Sequence, residues 1–440
     1  MESPASNVLR LLLVLILSLS AYIQLTVVSR TVVDSPLRAD ASEYFSYASN
    51  LYHHRVYSIQ RTWTDIPIQT ELAPDNFRPP GYPVFLTLVG NPQPTERFLL
   101  RVTYVQAVLG VISVWLVYLI ARMFLGRPLA LIACAVTTIS PHLATASTYI
   151  LTESLFLFLL LLSVYTLLSA LKSQKKWLYV VTGLVWAMCS LVRSTSEFFP
   201  ALLLLVALAI PTFRQYRGYA LIGFATFLLA LSPWFIRNHS ASVNEASPSL
   251  MVKTLAHGAY PGFMYRDRLE SFGFPYRFDP DDAKNSHDLP SVLNHIVGLF
   301  RNDPVRYARW YLFGKPYFFL SLRDVQSFDV LIYPTTHTPY YEDYRFAAMR
   351  WLSLVLHWPL MILGLAGIGL LILRPKWLAL NGHSRLAAWI VALLILYAIA
   401  FHMIAAPFPR YAIPFRPLIY MLALLPLRAA WLAIRPPRTE

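Results

Sequence analysis

Residues 150–171 read ILTESLFLFLLLLSVYTLLSAL. After Glu153 no charged residue appears until Lys172. A bilayer core takes about 20 apolar residues as one helix, so this run predicts a membrane span. Similar windows lie on both sides, at 98–121, 128–147, 177–192, 197–213 and 218–236. Others lie at 8–28 near the N-terminus and at 351–373, 386–405 and 412–434 near the other end. The fold predicted is an all-α, multi-pass integral membrane bundle of about ten or more spans. Composition agrees. Of 440 residues, 56% are hydrophobic and 14% charged, and the mean hydropathy is +0.49. Soluble domains are roughly a quarter charged, so a water-soluble globule is excluded, and the apolar excess excludes disorder. The two cysteines, Cys134 and Cys189, sit in apolar runs and are expected to be free and buried. The first span has a long core and no clean small-x-small site after it, so it is read as a retained anchor.

Charge orients the spans. Alternating them puts Arg122 and Arg127, Lys172, Lys175 and Lys176, Arg214 and Arg217, Arg374, Lys376 and Arg385, and Arg435 and Arg438 on one side. By the positive-inside rule that side is cytoplasmic, together with both termini. The net charge of +14 is then topological and implies no nucleic acid. Two long segments, 29–97 and 237–350, face outward, to periplasm or lumen. They hold nearly all the acids and many interface-loving aromatics, among them Tyr44, Tyr47, Tyr57, Trp63, Trp310 and Phe318. Stretch 290–322 reads as interfacial helices, with Val292, Ile296, Leu299 and Phe300 on one face. Both outer segments are expected to lie on the membrane. The scarcity of cysteine there points to a bacterial inner membrane.

Ionisable groups at the outer ends of spans carry most of the functional information. Asp40 begins a helical pattern of Tyr44, Tyr47, Ala48 and Leu51, with Glu43 three residues on. That is the spacing of a capping box, and from spacing alone the cap is the better reading. The functional reading is a general base at the membrane surface. Arg78 lies in Phe77-Arg78-Pro79-Pro80-Gly81-Tyr82-Pro83, a rigid turn that would present it as an anchor or as a phosphate grip. Glu153 starts an apolar run, where an acid suits a helix N-terminus. Arg193, Arg237 and Arg410 sit at predicted outer helix ends, against the positive-inside bias. Each alone reads as a snorkelling side chain; with Arg78 they point to a shared anionic ligand. Asp279-Pro280-Asp281-Asp282 lacks EF-hand spacing and reads as a solvated turn. The sequence holds no P-loop, dinucleotide fingerprint, zinc-spaced Cys/His set or Gly-x-Ser-x-Gly elbow. Chemistry here would need a pre-activated substrate reachable from the membrane.

The order of these motifs resembles the GT-C glycosyltransferases of the family 39 type, which include protein O-mannosyltransferases and the lipid A aminoarabinose transferase. The series runs from Asp40 and Arg78-Pro-Pro-Gly-Tyr-Pro83 through Gln106, Ser140-Pro141, Thr152-Glu153 and Arg193-Ser194-Thr195. It continues to Pro233-Trp234-x-x-Arg237-Asn238 and ends at Pro409-Arg410-Tyr411. The likeness covers residues 8–240 and the C-terminal Arg-Tyr motif, and is less clear over 241–350. It implies a GT-C bundle that takes a sugar from a polyprenyl-phosphate donor to a lipid, glycan or protein acceptor at the outer face. Residues 1–236 would form the catalytic membrane module, 237–350 the large outer loop, and 351–440 the C-terminal helices. Asp40 takes the place of the acidic residue in the family's first outer loop. Protein-mannosylating members carry two adjacent acids there, where this chain has Ala41 after Asp40 and Glu43 two further on. The physics is consistent with this. A sugar phosphate has a ready leaving group, so the site needs one base, Asp40, and cations for the departing phosphate, with Arg78, Arg193, Arg237 and Arg410 as candidates. Glu43 and Glu153 are supporting acids. A single base predicts inversion, the donor's tail would lie between spans, and no divalent metal or other cofactor is demanded. The alternative is a flippase for a lipid-linked sugar. The absence of a sequence repeat and the clustering of charge at the outer face weigh against it.

Overall fold

In lipid every backbone N–H and C=O must be satisfied within its own segment, so uninterrupted apolar runs become helices. The computed structural model describes residues 4–63, 71–240, 249–322 and 329–434; Arg435 and Arg438 lie outside them. The first part of the chain runs α1 (Pro4–Arg30), α2 (Asp40–His54), α3 (Gly81–Val89), α4 (Glu96–Ala121), α5 (Arg127–Thr138), α6 (Pro141–Thr145), α7 (Glu153–Ser173), α8 (Lys176–Val192), α9 (Phe199–Ala209) and α10 (Arg217–Ser240). Short helices follow: α11 (Leu250–Gly258), α12 (Asp282–Asn285), α13 (Leu289–Asn302), α14 (Pro304–Arg309), α15 (Lys315–Leu320) and α16 (Pro339–Glu342). The last part holds α17 (Tyr344–Leu373), α18 (Gly382–Ile404), α19 (Pro409–Ala412) and α20 (Arg416–Ile434).

Among the described residues seven helices are long and apolar enough to cross a membrane. This is a multi-pass integral membrane protein with an all-α bundle. Three of the ten expected spans take another form. Window 128–147 is a helix pair, Arg127–Thr138 and Pro141–Thr148, bent by 59°. Pro141 lacks the N–H that a continuous helix would use there. Windows 177–192 and 197–213 become α8, of 17 residues, and α9, of 11. α8 is at the lower limit of the length a bilayer core takes and α9 falls short of it.

Inside the bundle α8 lies along α10, α17 along α20, and α7 against α4 and α8. Gly183 permits the first crossing: a Cβ there would stand 2.3 Å from Gly223 O. Cys134 and Cys189 are free and buried. Capping is local where the side chains allow it. Thr95 accepts from Phe98 N at 3.4 Å to start α4, and Asn381 accepts from Ser384 N at 2.9 Å to start α18.

The two outer segments meet. β1 (Val32–Val33) pairs antiparallel with β2 (Thr335–His337), Val32 opposite His337 and Val33 opposite Thr335. Stretch 290–322 is helical in pieces, as α13, α14 and α15 with a π-turn at Trp310–Gly314. Val292 of α13 is buried against Val252, Leu255 and Ala256 of α11, while Leu293 and Val297 on the same helix stay exposed.

Candidate functional site

Asp40 is the first residue of α2, and Ala39 is its N-cap, with no side-chain capping bond. The capping box expected from the Asp40–Glu43 spacing is therefore absent. Both carboxylates turn instead to arginines distant in sequence, which satisfy them more fully than one backbone N–H could. Ala39 carries φ +46° and ψ −126°, a costly conformation for a residue with a Cβ. It sets the direction in which α2, and so Asp40, enters the site.

Arg78 arrives on the Pro-rich turn. Its Nη2 donates to Asp40 Oδ1 at 2.9 Å, and its Nε donates to Glu43 Oε2 at 2.7 Å. Its guanidinium also lies 5.3 Å from the centre of the Tyr44 ring. Gly81 then brings α3 against the end of α8, where a Cβ would come within 2.7 Å of Leu191 C and O. That close approach ties the Arg78 turn to the neighbouring Arg193 turn. Tyr82 OH donates to Gln106 Oε1 at 2.9 Å, and Gln106 Nε2 donates to Ser147 O and Tyr149 O at 3.1 and 2.8 Å. One buried amide thus joins α3, α4 and the turn that leads to Glu153.

Arg410, at the start of α19, donates from Nη2 to Asp40 Oδ2. Asp40 is held on both oxygens by two different arginines. Burial pushes its carboxyl up, but Arg410 and Arg78 outweigh burial and hold it well below the usual carboxylate range. Next to this pair, Arg193 Nη2 donates to Glu153 Oε1 at 3.3 Å, and the Arg193 guanidinium covers the Tyr411 ring at 4.4 Å. Glu153 Oε2 and Arg193 Nη1 are buried with no hydrogen-bond partner. The cluster contains three acids and three arginines.

Arg237 is not brought to this cluster. Its Nη1 donates to Asp75 O at 2.6 Å and its Nη2 to Tyr57 O at 3.2 Å, both in the first outer segment. Sequence reasoning met Tyr44 and Tyr82 only as members of patterns and gave them no role, and it passed over Asp75 and Tyr333. Tyr149 OH donates to Tyr333 O at 3.2 Å, which sets residue 333 beside the Glu153 turn. A lone Tyr among 26 in the chain carries no distinguishing signal. Asp75 did have one, lying three residues before Arg78.

Among the described residues no group of three or more His, Cys, Asp or Glu could hold a metal ion. Beneath the Arg193 turn, α7, α8, α9, α10 and α18 line a half-open apolar pocket of about 420 Å³, with Trp186, Leu203, Ala207, Phe224, Trp389 and Leu393 among its walls. Trp186 Nε1 donates to Ser196 O at 3.0 Å, so one wall of the pocket is fastened to that turn.

The family model described as dolichyl-phosphate-mannose-protein mannosyltransferase matches residues 84–236. The GT-C likeness read from the motifs therefore has a family-level counterpart over that part of the chain. No curated protein matches the sequence. Among solved structures, the chain is similar to the archaeal oligosaccharyltransferase AglB from Archaeoglobus fulgidus, in complex with an inhibitory peptide and a dolichol-phosphate. Identity is 15% and the TM-score 0.48, over 97% of this chain and 52% of that one. The apo form of the Archaeoglobus fulgidus oligosaccharyltransferase gives 16% and 0.49, over 97% and 52%. ArnT from Cupriavidus metallidurans, bound to undecaprenyl phosphate, gives 12% and 0.41, over 97% and 78%. The chain spans about half the length of the archaeal enzymes.

Proposed function

We propose that this protein is a GT-C-type glycosyltransferase. It moves a sugar from a polyprenyl-phosphate donor to an acceptor hydroxyl at the outer membrane face, with inversion. The observation that carries this reading is the double grip of Arg78 and Arg410 on Asp40, beside a Glu153–Arg193 pair with unused hydrogen-bonding atoms. The name of the family matched over 84–236 joins a polyprenyl phosphate to a sugar, and supports the donor class. The apolar pocket under Arg193 offers room for part of the donor's tail.

The chemistry follows from the charges. In the resting site every arginine of the cluster is paired with a carboxylate. A carboxylate clamped by two guanidiniums is ionised but weakly basic. A donor phosphate competes for the same guanidiniums. As it takes them, Asp40 loses the charges that suppress it and becomes a better base. The acceptor oxygen then attacks the anomeric carbon while its proton passes to Asp40. The bond from that carbon to the phosphate oxygen breaks, and the phosphate leaves with the electron pair, stabilised by the arginines. Asp40 acts alone as base on the face opposite the leaving group, which gives inversion.

The test is release of free polyprenyl phosphate. The protein is purified in detergent and supplied with a lipid extract from its own host. Wild type should release carrier, and Asp40→Asn should lower the rate by about 10²- to 10⁴-fold. Equal release by both would remove Asp40 as the base. Lipid binding without release by the wild type would favour a flippase.

A further inference from the structure

The turn that delivers Arg78 is itself held by a second, separate network. Its centre is Asp75. Oδ1 accepts from Tyr47 OH of α2 and from Phe77 N at 3.1 Å, and Oδ2 accepts from Ile59 N at 2.7 Å. Asp75 N in turn donates to Tyr57 O at 3.0 Å. One carboxylate thus stitches the arm after α2, residues 55–63, to the arm before α3, residues 71–80, and both to α2 itself. Tyr57 completes the hold: its OH donates to Arg78 O at 3.0 Å and Pro79 O at 3.1 Å, and its ring stacks on Tyr47 at 4.2 Å. Arg237 closes the outside by donating to Asp75 O and Tyr57 O. Burial and the Asp75 carboxylate push the Tyr47 phenol up, so it remains a donor to Asp75.

We propose that Asp75 is a positioning residue, and that with Arg237 as an outer brace it sets the Arg78 guanidinium against Asp40 and Glu43. This rests on the transferase reading of the cluster. Three features argue for aim and not only for loop stability. The Asp75 carboxylate holds Phe77 N, the backbone next to Arg78, and Tyr47 on the helix that carries Asp40. The Arg78 backbone carbonyl is itself a hydrogen-bond acceptor within the network. Arg78 must also meet two carboxylates at once, so a small displacement of its backbone breaks one of its contacts. An amide cannot replace Asp75, because it would turn an N–H toward one of the three donors it now receives.

The experiment is a double-mutant cycle: wild type, Asp75→Asn, Arg78→Gln and the double variant, each assayed for carrier release and for thermal unfolding in detergent. Asp75→Asn should lower turnover about tenfold where Arg78 is present, and less than twofold in the Arg78→Gln background. A defect of folding alone would lower both backgrounds by the same factor, and that result overturns the proposal. An unchanged rate in Asp75→Asn overturns it as well. Tyr47→Phe, a gentler change that removes one donor, should fall between wild type and Asp75→Asn. Where turnover lies below detection, the Tm values decide. A double variant whose loss is smaller than the sum of the single losses supports positioning, and strict additivity overturns it. If the wild type releases no carrier, the transferase reading falls, and the Tm cycle still answers for Asp75.

Discussion

The two outer segments are fastened to the bundle by different mixtures of charge and ring contacts. The first, residues 31–95, is held by charge: Asp40 to Arg410, and Arg237 to its backbone carbonyls. The second, residues 249–343, adds an extensive set of stacked rings to its polar bonds. Phe263 stacks on Phe408 at 4.9 Å and 11°, with Trp310 and Phe318 set edge-on around it. Polar links accompany the rings: Arg30 pairs with Asp343 at 3.2 Å, Arg350 pairs with Asp329, and Arg416 donates to Ser321 O at 3.2 Å. The most deeply buried of the charged groups in this segment is Lys315. It is fully buried, donates to Ile404 O and Ala405 O at 3.1 and 3.2 Å, and burial pushes its pKa well down. Both segments grip the same short turn, the first at Arg410 and the second at Phe408. Ion pairs are directional and lose most of their value when a partner moves. Stacked rings bury area and tolerate small slides. Under the proposed function the chemistry would fall to the charged side, with the ring side supporting it from behind.

The largest break in this contrast is Arg410→Gln. Carrier release should fall about 10²- to 10³-fold, the usual cost of a lost charge-stabilising donor. It should also change acid stability. Asp40 titrates lower in the folded protein than in the unfolded chain. Its stabilisation is therefore full above the unfolded value near 4 and is lost as pH falls toward the folded one. Removing Arg410 should flatten that loss in Tm measured from about pH 5 down to about pH 2.

Phe263→Ala should come next. Emptying a buried aromatic site costs about 3 kcal/mol, here felt mainly by the second segment. Limited proteolysis should cut within 249–322 faster, while carrier release changes by less than threefold. A loss of chemistry as large as in Arg410→Gln would end the division of labour. The smallest effect is Ala39→Gly. Relief of the positive φ should add about 1 kcal/mol or less, read as a small rise in Tm, with release within twofold of wild type.

The bundle was legible because about 20 apolar residues between charges admit few structures in lipid. Where a window was broken by Pro141, or where apolar length ran out in α9, sequence pattern still found helix but not a single straight span. Within the site, Asp40, Glu43, Arg78, Glu153, Arg193 and Arg410 were each visible as ionisable groups in the first outer segment or at span ends. Their grouping was not, since Arg410 lies 370 residues from Asp40. The spacing of Asp40 and Glu43 pointed to a cap because helix-local bonds are all that spacing can reveal. Arg237 looked like its fellow arginines for the same reason; only its contacts with the Asp75 and Tyr57 carbonyls separate it. The β1–β2 pairing was invisible, as strands of two and three residues leave no periodicity.

The 370-residue separation between Asp40 and Arg410 also sets a clock on biogenesis. A ribosome adding about 5–20 residues per second needs roughly 20 to 75 s to pass from one to the other. During that interval the nascent chain carries Asp40, Glu43 and then Arg78, but not the second guanidinium. Under the proposed transferase reading, the partly inserted protein has no complete centre with which to consume lipid-linked sugar, and assembly of the last membrane helix is the step that would complete it.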